Sequence, residues 1–205
     1  MDDAGTHTLA MPEHRLERLV FFSDAVFAIA ITLLIIEIRV PHVTGGDRAF
    51  LNALLGMLPQ FVGFFVSFAV VGSFWAGHHR AFACAARWDP RIVQANLLLL
   101  GLIASGPFFT AFSSEYSGDR VPVALYAVWL LVTALAHLRL QTLVTHPPIG
   151  GADVSEAYLQ TNRRRAIAVG VGAFIALVTA LFVPMAALPS LFSIVVLRRV
   201  FDRFA

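Results

Sequence analysis

Asp24 is the residue with the most chemical potential in this chain. It is the only ionisable side chain well inside a long apolar run, Leu19 to Ile38, where the charges are Asp24 and Glu37. A charge buried in lipid is costly and marks a functional site by default. Arg18 precedes it by six residues, about 9 Å along a helix and about 120° around it, so the two are not expected to pair. Asp24 therefore needs a donor from another segment. Trp75, His78 and His79, then Arg80, stand at the end of the second apolar run. Three roles stay open for Asp24: stapling the bundle, touching a permeating species, or gating and pH sensing.

Other reactive groups offer less. His78 and His79 are adjacent, so a helix points them about 100° apart and they cannot share one metal. Cys84 added as a third ligand fits no zinc spacing. Cys84 reads as a small apolar residue near a reducing side. Ser23 has no base at a useful spacing, which argues against a hydrolase. Glu37 either gathers cations or pairs with Arg39.

These residues lie in a chain built for lipid. Of 205 residues, 58% are hydrophobic and 14% charged, against roughly 25% charged in a typical soluble domain. One cysteine excludes an intrachain disulfide scaffold, 18 Phe argue against disorder, and a net charge of +2 is too small for nucleic-acid binding. A crossing helix needs about 20 mostly apolar residues. Six segments are expected, at about 18–39, 50–78, 92–114, 121–140, 165–183 and 185–199, the last short and following a break at Pro184. The fold class is thus an all-α membrane protein, one domain over 1–205. The acidic start, with Asp2, Asp3, Glu13 and Glu17, does not read as a signal peptide.

All 15 basic residues are arginine. With the N-terminus cytoplasmic and six crossings, twelve fall inside: Arg15, Arg18, Arg80, Arg87, Arg91, Arg139, Arg163, Arg164, Arg165, Arg198, Arg199 and Arg203. Arg39, Arg48 and Arg120 fall outside. The positive-inside rule selects this topology, with both termini cytoplasmic. The longest inner loop is expected at Thr145–Arg165. The absence of lysine points to a GC-rich bacterial genome, hence a bacterial plasma membrane.

On a helical projection, Phe22, Ala25, Ile29, Thr32, Leu33 and Ile36 share one stripe, and Asp24 lies about 140° away. The stripe is apolar except for Thr32. It suits lipid, helix packing or a pore lining.

The string Arg18-Leu19-Val20-Phe21-Phe22-Ser23-Asp24 fits the pattern R-x-x-x-F-S-D at the start of a first helix. It resembles the transmembrane protein 175 family of potassium channels in its single-repeat bacterial form. Ser73-Phe74-Trp75-Ala76-Gly77-His78-His79-Arg80 is similar to that family as well. The resemblance implies a modestly potassium-selective cation channel, a homotetramer with four first helices around a central pore. It implies apolar constricting rings at Ile29, Leu33 and Ile36 and a hydroxyl ring at Thr32. No cofactor is implied, and no metal beyond permeating potassium. The carbonyl filter of other potassium channels, T-V-G-Y-G, is absent; Val169-Gly170-Val171-Gly172 reads as helix packing through small residues. An apolar ring gates by dewetting, and potassium sheds water more cheaply than sodium. Two other classes stay in view. One is a proton-conducting channel or secondary transporter, weakened by the single deep charge and the lack of paired broken helices. The other is a non-conducting structural membrane protein.

Overall fold

A computed structural model describes residues 7–151, 154–194 and 196–197. Eight helices follow in order among the described residues: α1 His7–Ile36, α2 Asp47–Gly56, α3 Leu58–Phe82, α4 Pro90–Ala104, α5 Gly106–Glu115, α6 Arg120–Thr145, α7 Glu156–Phe182 and α8 Pro184–Ser190. Five stretches are long and apolar enough to cross a membrane: His14–Ile36, Leu58–Phe82, Pro90–Glu115, Arg120–Thr145 and Glu156–Phe182. Helices satisfy their own backbone amides, which lipid cannot do.

Several expected boundaries move. The 50–78 segment divides at Met57, whose N–H bonds back to Leu54. Pro59 lies in the first turn of α3, where its missing N–H costs no helical bond. The 92–114 segment bends at Ser105, and the cause is Pro107, which cannot donate into the ladder. The bend is repaired by side chains: the Leu102 carbonyl accepts from Trp129 Nε1 at 2.8 Å and from Ser105 Oγ at 2.7 Å. Gly106 is what lets the Trp129 ring in, since a Cβ there would meet the ring at 3.0 Å. The expected inner loop Thr145–Arg165 is half helical, because Ser155 caps α7 by accepting from the Tyr158 N–H and starts it nine residues before Arg165.

The sixth expected segment, 185–199, departs most. α8 has seven residues, about 10 Å, and contains Pro189. A turn follows at Leu191 and Phe192. The stretch still packs inward: Ala187, Leu188, Leu191 and Ile194 are buried. Arg198, Arg199, Arg203 and Ala205 lie outside the described residues, as do Asp2 and Asp3.

The core sits where α6 meets α3, α4, α5 and α7. Tyr126, Leu130, Phe74, Leu99 and Ile103 are fully buried there. Gly77 allows α3 to approach α6, since a Cβ at that position would press on the His137 ring. On the Arg80 side, the loops after α3 and α6 are laced together. Ala85 pairs with Gly150, and Gly151 N donates to Cys84 O at 3.0 Å.

Candidate functional site: the first helix and its buried partners

α1 buries Leu19, Ser23, Phe27, Ala30 and Leu34, spaced four, four, three and four. That spacing draws one helical face, and it packs on α3, α4 and α5. Val20, Asp24, Val26 and Ile31 flank that face and are half-buried, and the opposite side of α1 stays open. Helical geometry then sets each motif residue in its place. Ser23 belongs to the packed face. Asp24, 100° further round, is half-buried at its edge.

The structure divides the expected polar residues into two groups. In the first, Trp75 Nε1 donates to Asp24 Oδ1 at 2.9 Å. His79 stacks on the Trp75 ring, with centroids 6.0 Å apart and 30° between planes. Trp75 is 42% exposed, so this group borders the surface of the single chain.

The second group is entirely interior. His78, one residue and 100° from His79, points into the bundle. Its Nε2 lies 2.8 Å from Asn96 Oδ1. Asn96 Nδ2 donates to Ser23 Oγ at 2.9 Å, and Ser23 Oγ donates to Leu19 O at 2.8 Å. His78, Asn96 and Ser23 are each 0% exposed. The direction of every bond follows from one constraint. Ser23 has a single proton and spends it on Leu19 O, so it must accept from the Asn96 amide. That turns Asn96 Oδ1 toward His78, whose Nε2 must carry the proton. Phe82, at 4.4 Å between ring centroids, and Phe27, at 5.5 Å, wall the imidazole.

Two candidates join neither group. Arg18 is exposed. Arg80 turns to α7, where its Nε donates to Asn162 Oδ1 at 3.0 Å.

The stripe lies on the open side of α1. Phe22, Ile29 and Ile36 are 52%, 58% and 68% exposed, and Ala25, Thr32 and Leu33 are exposed too. Thr32 Oγ1 sits 3.0 Å from Ala28 O and 2.9 Å from Ile29 O. Its proton is therefore held by its own helix, leaving the oxygen lone pairs directed away from the backbone. Such an oxygen is an acceptor for a cation or for water. Glu37 falls just beyond the last helical residue and is exposed. It lines a cavity shared with Gln60 of α3 and Glu115 of α5.

Asn96 escapes a reading based on charge. The amide is neutral, and it sits inside a run scored as uncharged. Its signal is a second amide, two residues after Gln94, followed directly by the apolar run Leu97–Leu100. Among the described residues, no three His, Cys, Asp or Glu side chains are placed to hold a metal ion. Outside the spans, burial pushes the Cys84 thiol above its ordinary range. The Arg91 guanidinium and N–H hold the Asp89 carboxyl below its usual range.

This fold and site define a multi-span helical membrane protein whose first helix binds the bundle by one face and presents an apolar stripe on the other. Residues 18–107 match the family described as "Endosomal/lysosomal potassium channel TMEM175". The chain is 41% identical over 130 residues to a potassium channel of Streptomyces collinus, covering 63% of each chain. It is 41% identical over 127 residues to a potassium channel of Chamaesiphon minutus, covering 60% of this chain and 63% of that one. It is also 31% identical over 160 residues to the rat "Endosomal/lysosomal proton channel TMEM175", covering 32% of that longer chain. The crystal structure of a lysosomal potassium-selective channel TMEM175 homologue from Chamaesiphon minutus superposes with a TM-score of 0.76 at 28% identity, over 93% of this chain and 98% of that one. Through these matches the chain resembles the TMEM175 family, in the single-repeat form of its bacterial relatives.

Proposed function

We propose that this protein is a cation channel that favours potassium modestly over sodium and conducts passively along the axis of a homotetramer. The observation that carries the reading is the stripe on α1. Five apolar side chains and one hydroxyl stay exposed in line from Phe22 to Ile36, while the motif residue Ser23 is anchored on the packed face. A stripe left bare by its own chain is free to meet the same stripe of other copies. Ile29, Leu33 and Ile36 then form stacked apolar rings about 10 Å long. Ions cross them when the rings wet, and the Thr32 oxygens replace part of the lost hydration. Asp24 with Trp75 and His79, and Ser23 with Asn96 and His78, position the helix. The bacterial relatives named as potassium channels support this reading. No catalysis is required by it.

The arginine distribution places the N-terminus and the loops after α3 and α6 in the cytoplasm of a bacterial cell, and Glu37 on the outer side. The stretch after Pro184 makes the sixth crossing in broken form. Its backbone is packed on α7 and α6, the situation in which non-helical backbone is tolerated at membrane depth.

The test is flux from purified protein in liposomes under a potassium gradient, with a proton ionophore for charge balance. Potassium-dependent dye quenching that falls when sodium replaces potassium supports the reading. Protein that leaves the liposomes tight refutes it. Acidification without an ionophore would favour the proton reading carried by the mammalian relatives' names.

A further inference from the structure

We infer that α2 is a membrane-surface helix, whose apolar face lies in the lipid leaflet at the Ile36 end of the bundle. Its 10 residues, about 15 Å long, have three sides. At 100° per residue, Ala49, Ala53 and Met57 fall together, and these are the half-buried positions. Phe50, Leu51, Leu54 and Leu55 take the neighbouring arc, about 140° wide, and each is more than half exposed. Arg48 and Asn52 take the next arc and are exposed as well. Asp47 projects within the apolar arc, but it stands in the first turn, where a helix favours a carboxylate and the chain end leaves it access to water. No residue of α2 is buried, so the bundle does not cover the apolar arc.

The level of α2 in the bilayer is set by its neighbours. The chain enters it from α1, whose crossing stretch ends at Ile36, and leaves it into α3, whose crossing stretch starts at Leu58. Gln60 Nε2 donates to Glu115 Oε2 at 3.0 Å, which holds the first turn of α3 level with the last residue of α5. Tyr116 follows there, exposed, and tyrosine is enriched where lipid meets water. α2 ends at Gly56, two residues before Leu58, and so begins its course at that boundary. Its apolar arc also runs on into α3. Leu51, Leu54, Leu58, Val62 and Phe65 are spaced three or four apart across the break at Met57, and all are exposed. The face of α2 is thus continuous with the side of a crossing helix. Four large apolar side chains fall far short of the roughly 20–30 residues a side of a standard protein interface. An apolar arc beside a polar one is instead the pattern of a helix lying in the interface plane. Asp47 and Arg48 cancel in charge, so apolar burial holds the helix down and anionic headgroups are not required.

This placement does not depend on conduction, and its test does not use flux. The full chain is spin-labelled in phosphatidylcholine liposomes, on a Cys84→Ala background that removes the one native cysteine. Leu51→Cys, Leu54→Cys and Asn52→Cys carry the label in turn, and Val132→Cys, exposed at the middle of α6, is the lipid reference. Collisions with oxygen should exceed collisions with a water-soluble nickel chelate severalfold at 51 and 54, as at 132. At 52, only 100° round from 51, the order should reverse. Nickel access at 51 and 54 equal to that at 52 would put α2 in water and overturn the proposal. Low access to both reagents at 51 and 54 would also overturn it, since protein, such as a second copy of the chain, would then cover the face. If the background variant does not fold, the unmodified chain is photolabelled with a phosphatidylcholine carrying a diazirine in its acyl chain. Adducts are expected within residues 50–55. Adducts on α3 at 62–68 with none at 50–55 would refute the lipid contact.

Discussion

Replacing Asn96 by alanine should destabilise this protein more than any single change at the Asp24–Trp75 contact. The perturbation removes two bonds, at 2.8 Å to His78 and 2.9 Å to Ser23, among three residues that are 0% exposed. Side-chain hydrogen bonds between membrane helices are worth only about 0.6 kcal/mol each on average, so the bonds alone account for about 1.2 kcal/mol. The groups left behind matter more. Ser23 keeps its bond to Leu19 O and loses only an incoming donor. His78 Nε2 loses its partner, and its Nδ1 has none to begin with. A buried unsatisfied donor costs about 1–3 kcal/mol. The expected total is about 2–4 kcal/mol. Trp75→Phe removes one bond at a site 42% exposed, where water can replace the lost donor, and should cost about 1 kcal/mol or less. The assay is reversible unfolding of purified protein in mixed micelles, followed by tryptophan fluorescence for the Asn96 variant and by circular dichroism for both. A double-mutant cycle with Ser23→Ala should show non-additivity of about 1 kcal/mol, because the two changes remove one shared bond. If Trp75→Phe costs as much as Asn96→Ala, or if Ser23→Ala and Asn96→Ala simply add, the buried chain of bonds does not hold α1 in place.

Three further outcomes follow from the same geometry. Ile29→Asn, Leu33→Asn or Ile36→Asn should wet the rings, so that reversal potentials under potassium/sodium gradients shift toward equal permeability; three unshifted variants would remove α1 from the pore. Thr32→Val should reduce selectivity while leaving unfolding within about 0.5 kcal/mol of the parent, since the lost hydroxyl bonds only its own helix; a large loss of stability would mean that Thr32 packs against a neighbour. Burial raises the Cys84 pKa, so less thiolate exists at any given pH. Alkylation by iodoacetamide should accelerate with a midpoint above that of a free thiol measured alongside, and a midpoint at or below that reference contradicts the burial.

Composition and period sufficed for the membrane class and for the helical character of the long apolar runs, because lipid leaves a continuous chain few other ways to satisfy its amides. The local pattern also carried the angular order on the first helix. A rotation of 100° per residue puts Ser23, Asp24 and Ile29 on different sides whatever surrounds them. The R-x-x-x-F-S-D string and the Trp75–His79 string were legible as family marks for the same local reason. What the string could not supply was the partner of each group. Adjacent His78 and His79 diverge, and which of them enters the core depends on the rotation of α3 against α1 and α4. That rotation is fixed by packing side chains far apart in sequence, Phe27, Phe82 and Leu99 among them. Asn96 became part of the site only when α4 was laid against α1, 73 positions away from Ser23. Helix breaks at Met57, Ser105 and Ser190 were equally hidden. Apolar composition stays constant through them, and only the balance between a proline's missing N–H and the tertiary contacts that compensate for it decides whether a run bends, divides or stops.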